Sequence, residues 1–162
     1  MEEEPGHGES HARRPVLVLG IGNILLRDEG IGVRVVETLQ TMELPSTVET
    51  LDGATAGIDL LDALADRRKV IVIDAVHADG PPGTVLRFSP DQIGPQQHVA
   101  LSLHQVGFLE ALRATRVIGC PPEQVVIFGI RPKTVEYGLQ LSEQISEAIP
   151  KLIELVMSEL ET

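Results

Sequence analysis

Three uninterrupted apolar runs constrain this chain more than any other feature: Val16–Leu19, Val70–Ile73 and Val125–Phe128. None alternates with polar residues, and each carries β-branched side chains. A strand of that kind is buried on both faces, as in a parallel sheet covered by helices on either side. The stretches between the runs supply such helices. From Ile31 the spacing changes, so that Ile31, Val35, Val36, Leu39 and Met42 line one helical face. A helix near Ala56 to Ala65 turns Ile58, Leu61 and Leu64 inward. Ser102 and Gln105 form a capping box for a third helix, whose buried stripe is Val106, Leu109, Ala111 and Leu112. The last helix sets Leu141, Ile145, Ile149, Leu152, Val156 and Leu160 on one face. Pro150 lacks an N–H for the helix ladder and kinks that helix or marks a new start.

Two shorter strands complete the pattern. Val48–Leu51 ends at Asp52, and Thr84–Phe88 follows the turn ADGPPG over a connection too short for a crossover helix, which makes it an antiparallel edge strand. Ser89 to Ala100 has no period and reads as a loop. The expected fold class is therefore α/β: a three-layer sandwich with a mostly parallel twisted sheet of about five strands and an antiparallel edge strand. Residues 1–14 read as a disordered polar tail and 15–162 as a single domain. His7 and His11 fall in that tail.

With 162 residues, of which 43% are hydrophobic, the chain has enough apolar material for one substantial core. Its 24 acidic residues against 13 basic ones, a net charge of −11, argue against nucleic acid or an anionic membrane as partner and favour a cation or a basic segment. The single cysteine, Cys120, excludes an internal disulfide framework, suits a reducing compartment and reads as an ordinary loop thiol beside Pro121 and Pro122. The first residues hold no signal-peptide core, and no run reaches the roughly 18 apolar residues of a membrane span, so a cytoplasmic protein is expected.

Ligands of parallel α/β sheets bind beyond the carboxyl ends of the strands. Gly20 and Gly22 follow the first strand as in a dinucleotide-binding loop, but Leu25 stands where a third glycine is needed, and Asp28 and Glu29 would repel a pyrophosphate. They would attract a metal cation or a basic group. Asp28 reads as the N-cap of the following helix. Glu29 has two readings, a first-turn acid worth roughly 0.3–1 kcal/mol against the helix dipole or a site residue. Asp52 either bonds the Gly53 turn or joins the site. Asp74 ends a strand that looks buried, where an unpaired charge is costly, which favours a role. His104 falls in a helix's first turn, where imidazolium is disfavoured and a ring nitrogen stays available as a ligand. Glu29, Asp74 and His104 together would balance a divalent ion and leave coordination positions open. His77 reads as a solvated turn residue within reach of the same site, and Arg131 and Lys133, near Tyr137, as part of a solvated loop, with contact to a protein partner as the alternative reading.

These residues closely resemble the hydrogenase maturation endopeptidases, which trim the C-terminus of the large subunit of nickel-iron hydrogenases. The resemblance runs nearly end to end, through GIGNILLRDEGIGVRVVE at 20–37, LDGATAGIDLLD at 51–62, VIVIDAV at 70–76 with PGT at 82–84, and SLHQVGFLEAL at 102–112. It implies that Glu29, Asp74 and His104 bind the nickel held by the precursor, so that loading is sensed before cleavage. It also implies cleavage after a basic or histidine residue, just beyond the last metal-binding cysteine motif, with release of a short peptide. Asp52 becomes a candidate for positioning or activating the attacking water, with Glu29 and Asp74 as further catalytic candidates. The nickel could polarise the scissile carbonyl or a water, or serve only as a recognition handle while a carboxylate acts as base, the chemistry of an aspartyl protease. The chain has no His-Glu-x-x-His motif and no Gly-x-Ser-x-Gly elbow, and Cys120 has no evident activating partner. No permanent metal or other cofactor is expected. Two alternatives stand beside this reading: a nickel-sensing chaperone that binds the precursor without cutting, and, less favoured, a nucleotide-binding domain.

Overall fold

The computed structural model describes residues 13–53, 59–93 and 103–162, with side chains described for all of these except 59 and 103–105. Five strands, β1 (Val16–Gly20), β2 (Val48–Asp52), β3 (Lys69–Ala75), β4 (Val85–Phe88) and β5 (Gln124–Ile130), form one sheet in the order β2-β1-β3-β5-β4. All neighbours pair in parallel except β4, which runs antiparallel to β5 at the edge. The expected α/β class, with its mostly parallel sheet and antiparallel edge strand, is the architecture found.

Period-two geometry divides each apolar run between two cores. Val16 and Val18 of β1 point to one face with Ile71, Ile73, Val126 and Phe128, where helix α1 (Ile31–Leu39) and helix α5 (Ile149–Leu160) cover them. Leu17 and Leu19 point to the other face with Val70, Val72 and Ile127, beneath helix α2 (Asp59–Leu64) and helix α3 (Leu103–Val117). Burying each such side chain contributes about 1.5–3 kcal/mol. A strand that feeds two cores cannot shift register by one residue without exchanging every contact, so the runs hold the sheet in place. A short helix, α4 (Glu143–Ser146), precedes α5, and Pro150 lies in the first turn of α5, marking the new start.

Several expected positions differ. Met42 lies beyond α1 and is 40% exposed, because the helix ends at Leu39. In α2 the fully inward residues are Leu60 and Leu64, with Leu61 half-buried. The buried stripe of α3 is Phe108, Leu112 and Thr115, while Val106 is exposed and Leu109 and Ala111 are half-buried. Helical spacing alone admits both stripes; the larger Phe108 ring wins the core, since burial scales with apolar area. Ile58 and Ser102 lie outside the described residues, as do 94–100 of the expected loop. In the described part of that loop, Pro90–Gln92 forms a 3-10 turn, with Gln92 Oε1 accepting the Ser89 N–H at 2.9 Å. Residues 1–12 of the expected tail, including His7 and His11, also lie outside. Arg13 donates to the Ala65 carbonyl and to Asp62, and Arg14 to the Val48 carbonyl. Among the described residues no helix is long and apolar enough to cross a membrane.

Candidate active site

The strand order reverses beside β1. The chain leaves β1 through α1 to reach β2 on one side, then returns through α2 to β3 on the other. The two crossovers diverge between the carboxyl ends of β1 and β3, which is where sheets of this class open a crevice.

Glycines allow the chain to close tightly around that point. Gly32, on the first turn of α1, lies so near the carbonyls of Ile73 and Ile21 that a Cβ would overlap both. Gly22 has φ 137° and faces the Glu29 carbonyl, another approach that a side chain would block. The loop after β1, the start of α1 and the end of β3 are thereby packed backbone to backbone. Glu29 precedes this contact by three residues, and Asp74 follows it by one.

Glu29 is half-buried in a 3-10 turn, Arg27–Gly30, that leads directly into α1. Asp74 is 1% exposed and belongs to the strand proper, in register with Gly129 of β5; β3 continues to Ala75 rather than stopping at the aspartate. Asp52 is the last residue of β2, half-buried and in register with Gly20. Three carboxylates thus stand on neighbouring segments at the carboxyl edge. His104 is the second residue of α3, so its backbone lies in a helix first turn as expected, but its side chain lies outside the described residues. Among the described residues no group of three or more His, Cys, Asp or Glu side chains forms a metal-holding cluster.

Asp28 is not the helix cap expected of it; Gly30 occupies the N-cap position of α1. The Asp28 carboxylate is fully buried and accepts four hydrogen bonds: from the N–H of Lys133 at 3.0 Å, of Thr134 at 2.7 Å and of Ser142 at 2.7 Å, and from Ser142 Oγ at 2.7 Å. Burial pushes its carboxyl up, but the Ser142 hydroxyl and the three backbone donors outweigh this and hold it below its ordinary value. The adjacent acids of one Asp-Glu pair therefore separate, Asp28 anchoring the loop and Glu29 carried by it. The anchoring donors come from more than a hundred residues away in sequence, so local spacing could not reveal them.

His77 is exposed and lines an open depression of about 300 Å³ together with Ala78, Asp79 and Arg131, just past the ends of β3 and β5. The backbone around Lys133 is not simply solvated, since its N–H and that of Thr134 bond Asp28. Cys120 is half-buried in the turn after α3, its N–H donating to the Thr115 carbonyl, consistent with an ordinary loop thiol.

Chemically, carboxylates at a crevice can coordinate a divalent cation or take a proton from water. The chain matches the family model described as hydrogenase maturation protease over residues 33–159, a span that includes Asp52, Asp74 and His104 and begins just after Glu29. It is 39% identical over 147 residues to the hydrogenase 2 maturation protease of Escherichia coli, covering 90% of each chain. It is 40% identical over 151 residues to the hydrogenase expression/formation protein HupD of Thiocapsa roseopersicina, covering 90% of this chain and 67% of that one. Among solved structures, the E. coli hydrogenase maturating endopeptidase HybD superposes with a TM-score of 0.82 at 38% identity, over 90% of this chain and 91% of that one.

Proposed function

Because the chain belongs to the hydrogenase maturation protease family and is accordingly an endopeptidase, we propose that it removes a short C-terminal peptide from the nickel-loaded precursor of a nickel-iron hydrogenase large subunit. The observation that carries this reading is the placement of Glu29 and Asp74 on either side of the tight contact between Gly32 and the end of β3, at the point where the crossovers diverge. A crevice edged by acids suits a cation delivered by the substrate. In this proposal Glu29, Asp74 and His104 engage the precursor's nickel, which is cargo rather than a resident cofactor. Asp52, at the end of the next strand, orients or deprotonates the attacking water. The reaction belongs in the cytoplasm on this reading, which the single cysteine and acidic composition support.

The test is to incubate the purified protein with a large-subunit precursor, nickel-loaded or nickel-free, and follow the precursor's mass. Loss of a short C-terminal peptide from the loaded form alone is the expected result. Tight binding with no change in mass would replace the protease by a nickel-sensing chaperone. Asp52→Asn separates the two roles open to nickel. If the metal is only a handle and Asp52 is the base, this variant binds the loaded precursor normally and leaves it uncut. Substantial residual cleavage assigns water activation to the metal.

A further inference from the structure

Of the eight large apolar side chains that are exposed among the described residues, four lie on two segments bonded to one another: Leu25, 55% exposed, on the loop before Glu29, and Val135, Tyr137 and Leu139, 49%, 90% and 60% exposed, on the loop before α4. Tyr137 is the chain's sole tyrosine, in a sequence without tryptophan. Scattered surface apolar residues need no explanation, but a concentration on two adjoining loops does. We propose that these loops form a docking face for the folded body of the precursor protein, separate from the groups that handle its C-terminal peptide; this rests on the endopeptidase reading above.

The face is built rigidly. Leu26 bridges Gly138, whose N–H donates to the Leu25 carbonyl at 2.9 Å and whose carbonyl accepts the Arg27 N–H at 3.0 Å. Asp28 fastens the second loop at Lys133, Thr134 and Ser142, and Arg27 and Arg34 donate to the carbonyls of Gln140 and Leu139. Arg27 holds φ 50°, a left-handed conformation that this network sustains. Little ordering entropy then remains to be lost on association, and a tyrosine offers large contact area on only two side-chain torsions. Leu25 and Glu29 share one loop, so a protein whose metal meets Glu29 lies against Leu25 as well. Arg27 and Arg34, which bond the carbonyls of Gln140 and Leu139, are each also paired with a glutamate, Glu136 and Glu37. The occupant that fits is a protein surface with an apolar centre and a polar margin, and the precursor, whose cleavage brings it to Glu29 on the neighbouring turn, is the protein that must approach here.

The experiment compares wild-type protein with the Tyr137→Ala/Leu139→Ser double variant, using full-length nickel-loaded precursor at varied concentration. Both substituted side chains are exposed, and a thermal melt checks that the variant is folded. The expected result is a KM raised on the order of tenfold or more with kcat unchanged, as removal of an interface anchor requires. A KM within twofold of wild type overturns the proposal, as does a fall in kcat at constant KM. Sedimentation of both proteins supplies the other arm: a wild-type dimer that the substitutions convert to monomer would assign the face to a second copy of this chain. If wild-type protein binds the precursor without cutting it, the endopeptidase reading fails, and the docking face is then judged by loss of precursor binding alone.

Discussion

At the amino ends of the strands Lys69 is 4% exposed, with its ammonium 3.3 Å from Glu159 and 2.7 Å from Thr162 Oγ1, while at the carboxyl ends Glu29, Asp52 and Asp74 stand on neighbouring segments. Glu159 also accepts from Arg87 Nε and Nη2, each at 3.0 Å, tying α5 to β3 and β4. Buried Arg67 is treated likewise, lying 2.7 Å from Glu49 and donating to the Ala63 and Arg14 carbonyls. One end thus buries charges of both signs against each other, which offsets their desolvation within the fold. The other end sets acids on adjoining segments, an arrangement suited to the substrate-borne cation of the proposed function. The pairs at the first end serve stability; in the function proposed above, the acids at the second serve a ligand.

The sharpest way to break this contrast is to remove acids or imidazole from the second end. Glu29→Ala and His104→Ala should each lower precursor processing on the order of a thousandfold, the several kcal/mol that a metal contact supplies. Glu29→Ala should shift unfolding by no more than about 1 kcal/mol, since the residue is half-buried on a loop held by its neighbour. Mass spectrometry of the precursor reads the first effect and urea denaturation the second. Normal processing by both variants would sink the ligand assignment.

Removing a charge from the first end should do the reverse. Glu159→Ala leaves Lys69 buried without its carboxylate and should cost about 3–5 kcal/mol, with processing per folded molecule unaltered. Acid sharpens the same point. The Arg87 side-chain hydrogen bond chiefly holds the Glu159 carboxyl below its ordinary value of 4.5, against burial and with help from Lys69. Its stabilisation is complete above 4.5 and is lost as pH falls through the folded value, because the unfolded chain takes up its proton first. Wild-type protein should therefore lose stability below about pH 4.5 more steeply than Glu159→Ala does. Equal slopes would show that this pair is not what acid breaks.

Asp28 lies between these extremes, a buried acid in the functional half that is satisfied entirely by neutral donors. Asp28→Ala strands three backbone N–H groups, of which only that of Ser142 is fully buried and out of reach of water, and the expected cost is about 1–3 kcal/mol, set chiefly by that one. Processing should fall as well, because the loop that carries Glu29 loses its anchor. A variant that is destabilised but processes normally would show that Glu29 is held by the glycine contacts alone.

This residue also shows what the sequence could and could not express. The strands were legible because four-residue apolar runs rich in β-branched side chains are too short for a buried helix, and Pro150 narrowed its helix to a kink or a new start because proline tolerates few positions. Asp74 and Glu29 stood out as candidates because a charge at the end of a buried strand, or beside the turn that follows one, is costly to place without a role. Asp28 was misread as a cap because its real donors come from residues 133, 134 and 142. Glu159 carried no signal at all, since an acid on a C-terminal helix looks solvated until Lys69 and Arg87 meet it across the fold. The α3 stripe was right only at Leu112, for a related reason: several faces of that helix are apolar, and the sheet beneath chooses among them.

The smallest effect belongs to Arg13, whose guanidinium lies 2.8 Å from Asp62, with the two side chains 33% and 82% exposed. This pair stands at the same end of the sheet as Lys69 and Glu159 and has comparable geometry, so it separates burial from pairing as the source of stability. Water screens both charges, and holding two long side chains in register costs entropy, which leaves exposed pairs worth about 0.2–1 kcal/mol. Asp62→Ala removes only that contact, whereas Arg13→Ala also removes the bond to the Ala65 carbonyl at 2.7 Å. Asp62→Ala should accordingly shift the urea midpoint by the smaller amount and should lose even that shift in high salt. A salt-resistant loss as large as that of Glu159→Ala would mean that pairing stabilises this end of the sheet wherever it occurs, buried or not.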